Sequence, residues 1–479
     1  MTITGVLILA GGLILIAVAT TSAVRGRIRL TGGIHYGWGI VIMLAVVQMI
    51  GQSIGMAAGI MVPPLHDPSG GFGWSMGTIG VGLALFYLVG AVCAPLSGWF
   101  ADRYGTRKMI LAAATLFAVS MISLGFINAV WQFFLVFGVM LALTQSITLV
   151  PMITAVNGWF RRRLGLAVGI LWAAGGMGSA AISPAVAYLL ETVDWSATFW
   201  IVGIFGGSMM LLVLPFFRNR PADMGLMPYG TQESDALELG WSKQVEKLRV
   251  KVFNQHIRTT KEFWNLPLVH CLGCAGHGVI LIYSIPIAVE QGISLTGAAL
   301  ILSLINLFSI VSRFVTPVLT ERFGGKPAMT AALAVQGLTV LALFWAQDTW
   351  AFYFFAVLFG LGYGGEMSAY PVVNRQYFGS GPIGTFYGIE IMGALLGHAV
   401  ATALAGFVIF LTGSFDPILV LSMSFSFVGV LVIMTLETSS RVLIPDWEES
   451  LPRGARTRPA DVRSAAARTA LLESISGVD

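Results

Sequence analysis

The chain alternates long apolar stretches with short polar segments. Twelve of the stretches are long enough to cross about 30 Å of hydrocarbon as helices, and they lie at 37–62, 77–101, 108–126, 130–153, 164–190, 196–217, 266–289, 296–319, 327–345, 350–374, 382–410 and 415–437. This pattern predicts an all-α polytopic membrane protein. A further apolar segment, 3–24, has no basic residue before it and several arginines after it, which favours a thirteenth span over a cleaved signal peptide. An interfacial helix and a removable leader remain alternatives.

The polar segments divide the chain into five regions. We predict an extra N-terminal transmembrane helix with a basic loop (1–30), a six-helix bundle (31–217), a linker (218–265), a second six-helix bundle (266–437) and a mobile tail (438–479). In the linker, the spacing of Trp241, Lys243, Lys247, Leu248, Lys251 and Phe253 predicts a basic amphipathic helix on the inner membrane surface.

Composition and charge place the chain in a bilayer. Hydrophobic residues make up 56% of it and charged residues only 10%, too few to cover a soluble protein of this length. The net charge of +4 comes from Lys and Arg in alternate polar segments, while the intervening loops, such as 63–76 and 190–196, have none. This is the positive-inside pattern. It predicts a plasma (inner) membrane protein with a cytoplasmic linker and tail, and it accounts for the basicity without a nucleic-acid partner.

The two halves of the chain repeat. Asp102-Arg103-Tyr104-Gly105 follows the second span, and Glu321-Arg322-Phe323-Gly324 follows the eighth, at an offset of 219 residues. Pro151 and Pro371 repeat near the ends of the fourth and tenth spans at an offset of 220. Parallel repeats of six helices are an architecture of membrane transporters.

The loop Gly98-Trp99-Phe100-Ala101-Asp102-Arg103-Tyr104-Gly105-Thr106-Arg107-Lys108 resembles the signature loop of the major facilitator superfamily. His35-Tyr36-Gly37-Trp38, Phe72-Gly73-Trp74-Ser75 and Trp159-Phe160-Arg161-Arg162-Arg163 resemble segments of the monocarboxylate and oxalate–formate porters, and the likeness extends over about 37–437. The resemblance implies two six-helix bundles, twelve core helices in all. It also implies a cytoplasmic gate between them formed by Gly98, Asp102, Arg103, Gly105, Arg107 and Lys108.

Arg313 is the only Lys or Arg that the sequence places deep within a core span, away from its ends. An arginine at that depth costs at least roughly 2.5–3.5 kcal/mol to insert, so it normally faces a cavity or a partner. It also matches the arginine of the eighth span with which the related porters bind a substrate carboxylate. A structural ion pair, or a side chain that reaches the inner surface, is the alternative. Glu366 and Glu390 lie at a similar depth and are the proton-coupling candidates, with a permanent salt bridge as their alternative.

Other polar side chains in the spans are candidate substrate contacts or interhelical hydrogen bonds: Gln52, Gln145, His277, Tyr363 and Tyr370, with His398 a further proton-coupling candidate. His270, Cys274 and His277 share one helix face and imitate a metal site. Because no carboxylate accompanies them locally, we predict no metal, and we predict no cofactor.

The chain also departs from the porter families. Animal-type monocarboxylate porters carry a lysine on helix 1, which has no basic residue here, and an aspartate one turn before the helix-8 arginine, where Ser309 stands. Oxalate–formate porters add a second cation on helix 11, which here offers Glu390 and His398. A single cation favours a monoanion.

We therefore expect a monomeric secondary transporter that moves a small organic monocarboxylate with a proton by alternating access. One alternative is efflux of a hydrophobic or aromatic compound, with Arg313 and Glu366 paired for structure. A membrane sensor is a remote second alternative. No catalytic motif points to an enzyme.

Overall fold

The computed structural model describes residues 35–66, 72–231, 242–438 and 441–457, and these residues are almost entirely helical. In chain order the helices are α1 (Tyr36–His66), α2 (Met76–Tyr104), α3 (Thr106–Leu124), α4 (Val130–Trp159), α5 (Leu164–Thr192), α6 (Trp195–Val213), α7 (Lys243–Ile257), α8 (Glu262–Glu290), α9 (Leu295–Phe323), α10 (Gly325–Val340), α11 (Thr349–Ser368), α12 (Tyr370–Phe378), α13 (Gly384–Thr412) and α14 (Asp416–Met434). Helices α1–α6 form the first half of the molecule and α8–α14 the second half.

Helices cover all twelve predicted spans, and the all-helical membrane fold is confirmed. In the described part of the chain, nine helices are long and apolar enough to cross a membrane, and α1 and α5 contain shorter apolar stretches, Tyr36–Gln52 and Leu164–Gly178. The total of twelve spans plus one stays a prediction, since segment 3–24 lies outside the described residues. The span predicted at 350–374 is broken between α11 and α12, where Pro371 stands at the start of the new helix and has no backbone N–H to continue the hydrogen bonding.

The two halves meet closely along α2–α13 and α5–α9. A side-chain carbon added to Gly98 would lie 1.9 Å from the carbonyl oxygen of Gly384, and one added to Gly165 would lie 2.3 Å from that of Pro317. The two contacts are equivalent in the sequence repeat, since Gly98 corresponds to Pro317 and Gly165 to Gly384, each at an offset of 219. Both lie at the end of the bundle that carries the linker, which we call the linker end.

The linker helix α7 packs on protein, which corrects the prediction that it lies on the membrane surface. Phe253 is fully buried, lies against Gly381 of the second half and has its ring centroid 5.1 Å from that of Trp447. Val252 and Ile257 are buried as well. The apolar face that would have entered lipid is therefore already covered, and Lys243, Lys247 and Lys251 lie on the exposed side.

The start of the tail is docked, so the prediction of a mobile tail does not hold for residues 441–457. Glu448 accepts a hydrogen bond from Arg249 of α7 at 2.6 Å, and the Arg249 guanidinium lies 5.0 Å from the centroid of the Trp447 ring. Thr457 donates to Glu448 from its backbone N–H and its hydroxyl, at 2.8 and 2.5 Å. Burial raises the pKa of Glu448, but these hydrogen bonds outweigh burial and leave the pKa below its usual value. The helix predicted near 460–475 lies outside the described residues.

Candidate functional site

Arg313 lies on α9 inside the second half and is only 5% exposed. Its Nη2 donates a hydrogen bond to the Tyr363 hydroxyl on α11 at 2.8 Å and lies 3.8 Å from the Met367 sulfur. Its Nε is buried without a hydrogen-bond partner in the described structure, and no carboxylate of the described residues forms a salt bridge with it. The guanidinium is therefore held at one nitrogen and keeps donor capacity for another group.

Glu366, also on α11, is fully buried one turn from Tyr363. Its Oε1 accepts a hydrogen bond from the Tyr370 hydroxyl at 2.7 Å, and its Oε2 lies 3.8 Å from Nδ1 of His277 on α8. The carboxyl fits closely against α8, since a side-chain carbon added to Gly273 would lie 2.5 Å from Oε1. The acid thus belongs to a cluster of hydrogen-bonding and titratable groups rather than to an ion pair with Arg313.

His277 lies between Glu366 and Tyr363, the tyrosine that accepts the hydrogen bond of Arg313. Its ring centroid is 4.6 Å from that of Tyr363 and 5.0 Å from that of His398 on α13. Across the interface between the halves, His398 stacks on Tyr87 of α2 at 5.6 Å. Arg313, Tyr363, His277 and His398 therefore form a chain of successive contacts, and His398 reaches the first half of the molecule.

Glu390 lies apart from that chain of contacts. It is fully buried on α13 and accepts a short hydrogen bond from the Asn374 side-chain amide on α12, while Oε1 has no hydrogen-bond partner in the described structure. Arg313, Glu366 and Glu390 lie at a similar depth but do not form one charged cluster. Glu366 lies beside His277, and Glu390 lies beside Asn374.

The candidates of the first half are less closely placed. Gln52 is half-buried on α1, and a side-chain carbon added to Gly175 of α5 would lie 3.0 Å from its Cγ. The next residue of α5, Gly176, packs against Ile310 of α9, so Gln52 lies near the interface between the halves. Gln145 is half-buried on α4.

The histidine and cysteine face of α8 is closer to a carboxylate than the sequence suggested. Donor atoms of His270, Cys274 and Glu366 lie within 4.8 Å of one another, and so do those of Cys274, His277 and His398. The sequence argument against a metal, the lack of a local carboxylate, is therefore wrong in three dimensions, because packing supplies Glu366 from another helix. His270 also stacks on Tyr370, with ring centroids 3.9 Å apart.

The predicted gate lies at the linker end, and Asp102 makes its contact across the halves. The Asp102 carboxylate accepts hydrogen bonds from Gly384 N at 3.0 Å, Thr385 N at 2.7 Å and the Thr385 hydroxyl at 2.8 Å, at the start of α13. An anion is stabilised at a helix N-terminus by the unpaired N–H groups and the helix dipole. Gly105, at φ 83°, ends α2 and starts α3.

The repeat places a second acid in the same way. Glu321 accepts hydrogen bonds from Leu164 N at 3.2 Å and Gly165 N at 2.8 Å, at the start of α5. Each half therefore caps a helix of the other half with a carboxylate. The sequence showed that Glu321 repeats Asp102, but its partner, and Thr385 as the partner of Asp102, were missed because both lie on distant helices.

The basic residues of the predicted gate contact their own half instead. The Arg103 guanidinium lies 4.9 Å from the centroid of the Trp99 ring. Arg107 donates from Nε to the carbonyl of Leu214 at 3.1 Å, at the end of α6, and Lys108 is exposed. Asp102 is the side chain of the predicted gate whose hydrogen bonds cross between the halves in the described structure.

Two bundles of membrane helices that meet at capped helix ends, with a buried polar cluster that extends from the second half to their interface, are the architecture of a membrane transporter. The sequence matches the profile of the Major Facilitator Superfamily over residues 56–402 and 268–472, and the chain belongs to that superfamily.

Similar proteins agree with this assignment. Rat monocarboxylate transporter 12 is 24% identical over 68% of this chain and 70% of its own length. Human monocarboxylate transporter 2 is 24% identical over 79% of this chain and 81% of its own. Among solved structures, the proton:xylose symporter XylE has a TM-score of 0.65 at 14% identity and covers 86% of this chain and 98% of its own. FucP in the outward conformation has a TM-score of 0.59 at 13% identity and covers 82% and 97%.

Proposed function

We propose that this transporter moves a small organic monocarboxylate together with a proton, and that Arg313 binds the carboxylate. The observation that supports the proposal is the state of Arg313. It is buried, held by Tyr363 at one nitrogen, and without a carboxylate partner among the described residues. A buried cation without a counter-ion is costly, and a substrate carboxylate offsets that cost through two parallel N–H···O bonds. One cation matches one negative charge. The names of the relatives support the same substrate class.

The proposal gives Glu366 the proton. A carboxyl that is buried, hydrogen-bonded to Tyr370 and 3.8 Å from His277 has neighbours that suit both its charged and its neutral form. The chain of contacts from Arg313 through Tyr363 and His277 places substrate and proton sites side by side. Occupancy of one site then changes the electrostatic energy of the other, as coupled transport requires. His398, next to His277 and against Tyr87, is the proposed connection to the interface.

The rival function, efflux of a hydrophobic compound with Arg313 and Glu366 paired for structure, has less support. Its central ion pair is not among the salt bridges of the described residues. Movement by alternating access agrees with the two helix caps at the linker end, which are contacts that can break and re-form as the halves rock. Tyr370, Gln52 and Gln145 stay proposed substrate contacts of second rank.

Uptake by proteoliposomes tests the proposal. Labelled mono- and dicarboxylates are offered with and without an inward proton gradient to the wild type, Arg313→Gln and Arg313→Lys. Arg322→Gln is the matched control, since Arg322 is on the same helix but exposed at the linker end. We expect gradient-driven monocarboxylate uptake that falls at least about tenfold in Arg313→Gln, less in Arg313→Lys, and little in Arg322→Gln. Equal effects of Arg313→Gln and Arg322→Gln, or uptake of neutral compounds alone, would overturn it.

A further inference from the structure

A cavity of about 500 Å³ opens at the linker end, away from the Arg313 cluster. Three parts of the chain line it: the first half around 101–108 and 154–161, the linker at 219–231 and 243–250, and the second half at 380–383. Its volume is in the range of small-molecule sites. The cavity is therefore too small for a macromolecule. Asp102, which accepts hydrogen bonds from the start of α13, lies at its wall.

The charges around this cavity are unbalanced. Among the described residues, seven Lys or Arg line it against three Asp or Glu: Arg103, Lys108 and Arg161 come from the first half, and Arg220, Lys243, Lys247 and Arg249 from the linker. The positive-inside bias explains why basic residues occur at this end. It does not explain why they converge on one cavity, where like charges repel each other and raise the free energy of the arrangement.

The three acids offset only part of the positive charge of the described lining. Asp102 accepts its hydrogen bonds from the start of α13. Glu246 is paired with Arg220 at 2.6 Å, and Asp223 accepts from the backbone N–H of Arg220 at 3.2 Å. Of the basic residues, Arg249 is paired with Glu448 of the tail. Lys243 and Lys247 are exposed one turn apart on α7 and both line the cavity.

We propose that this cavity binds a phosphate-bearing small molecule, which holds the linker to both halves. Several arginines and lysines around a small volume, with the amides of Asn157 and Asn219 beside them, supply the forked and point-like donors that phosphate oxygens accept. A doubly charged phosphate offsets the repulsion between the basic residues better than a monocarboxylate does. The proposal is independent of the Arg313 site and of the transported substrate.

Because the occupant contacts the first half, the linker and the second half together, its binding stabilises their contact at the linker end. A ligand that binds the folded protein raises its melting temperature, and the rise grows with the logarithm of the ligand concentration once that concentration exceeds Kd. Full-length purified protein in detergent is therefore titrated with inorganic pyrophosphate, with chloride at matched ionic strength as the ionic control. The readouts are Tm and the fitted Kd.

The variants use the geometry of α7. Lys243→Gln/Lys247→Gln removes two charges from the cavity. Lys251→Gln/Arg258→Gln removes two exposed charges from the same segment that do not line it. We expect the first pair to weaken pyrophosphate binding about tenfold and the second by less than about twofold. No rise in Tm beyond that in chloride, or equal weakening by both pairs, would overturn the proposal.

Nanodiscs distinguish the two sources of phosphate. If the phosphate belongs to a lipid headgroup, phosphatidylglycerol in phosphatidylcholine nanodiscs raises Tm and removes the further effect of pyrophosphate. If it belongs to a soluble molecule, pyrophosphate raises Tm equally with and without phosphatidylglycerol. Either result supports the site when the rise in Tm is lost in the Lys243→Gln/Lys247→Gln variant and kept in the control variant. Equal Tm shifts in the two variants would show general adsorption and refute the site.

Discussion

The helix cap formed by Asp102 gives a prediction whose size follows from three hydrogen bonds. In Asp102→Asn the side chain keeps one acceptor oxygen and turns an NH₂ group toward donors, so up to two of its bonds to Gly384 and Thr385 are lost. Bonds to a charged group contribute about 1.5 kcal/mol or more each, and the lost charge at a helix N-terminus about 0.5 kcal/mol. Because the site is half-exposed, we expect the contact between the halves to weaken by about 2–3 kcal/mol.

That energy corresponds to a roughly 30- to 150-fold change in the ratio of closed to open linker ends. The assay is pulsed electron–electron double resonance, which measures the distance between two spin labels. The labels are attached at Arg162→Cys in the first half and Ser380→Cys in the second, both exposed positions. The native cysteines Cys93, Cys271 and Cys274 are replaced in this background. We expect Asp102→Asn to add a long-distance population to the distribution of the wild type.

Two further variants make the test graded. Thr385→Val removes only the hydroxyl donor and should give a smaller shift of about fivefold. Glu321→Gln breaks the equivalent cap of α5, and its effect should add to that of Asp102→Asn because the two contacts are separate. Unchanged melting temperature and a single species in gel filtration establish that the variants fold. Distance distributions that superimpose on the wild type for both acids would refute the idea that these caps hold the linker end closed.

Three more predictions follow from single positions. Gly98→Ala should open the linker end in the same assay, because the added carbon meets a backbone carbonyl at 1.9 Å, whereas Gly80→Ala on the same helix meets nothing within 4 Å and should leave the distribution unchanged. Glu366→Gln should abolish gradient-driven uptake but keep substrate exchange at equal pH; retained gradient-driven uptake would exclude it as the proton site. The docked tail should loosen as pH falls, because the lowered pKa of Glu448 means that its bond to Arg249 stabilises docking above the usual glutamate pKa and is lost on protonation. Hydrogen exchange over 441–457 measures this, and Glu448→Gln should show fast exchange at every pH.

Features that depend on local sequence were predicted well. Hydropathy located the helices, and the offset between Asp102 and Glu321 identified two related halves that the structure joins through those two acids. Lipid forces each span to be apolar and to satisfy its own backbone hydrogen bonds, so span and sequence correspond closely. The one broken span, at Pro371, also has a local cause.

The depth of each buried polar residue in the membrane could also be predicted from its position within its span, because a helix rises 1.5 Å per residue. It did not determine which groups meet at that depth, since partners depend on how each helix is rotated and packed. Only the tertiary structure brought Glu366 to His277 instead of Arg313. Likewise, only the tertiary structure shows that the apolar face of α7 packs on the protein and that Trp447 lies beside Phe253. Depth is a property of one helix, whereas a contact is a property of two.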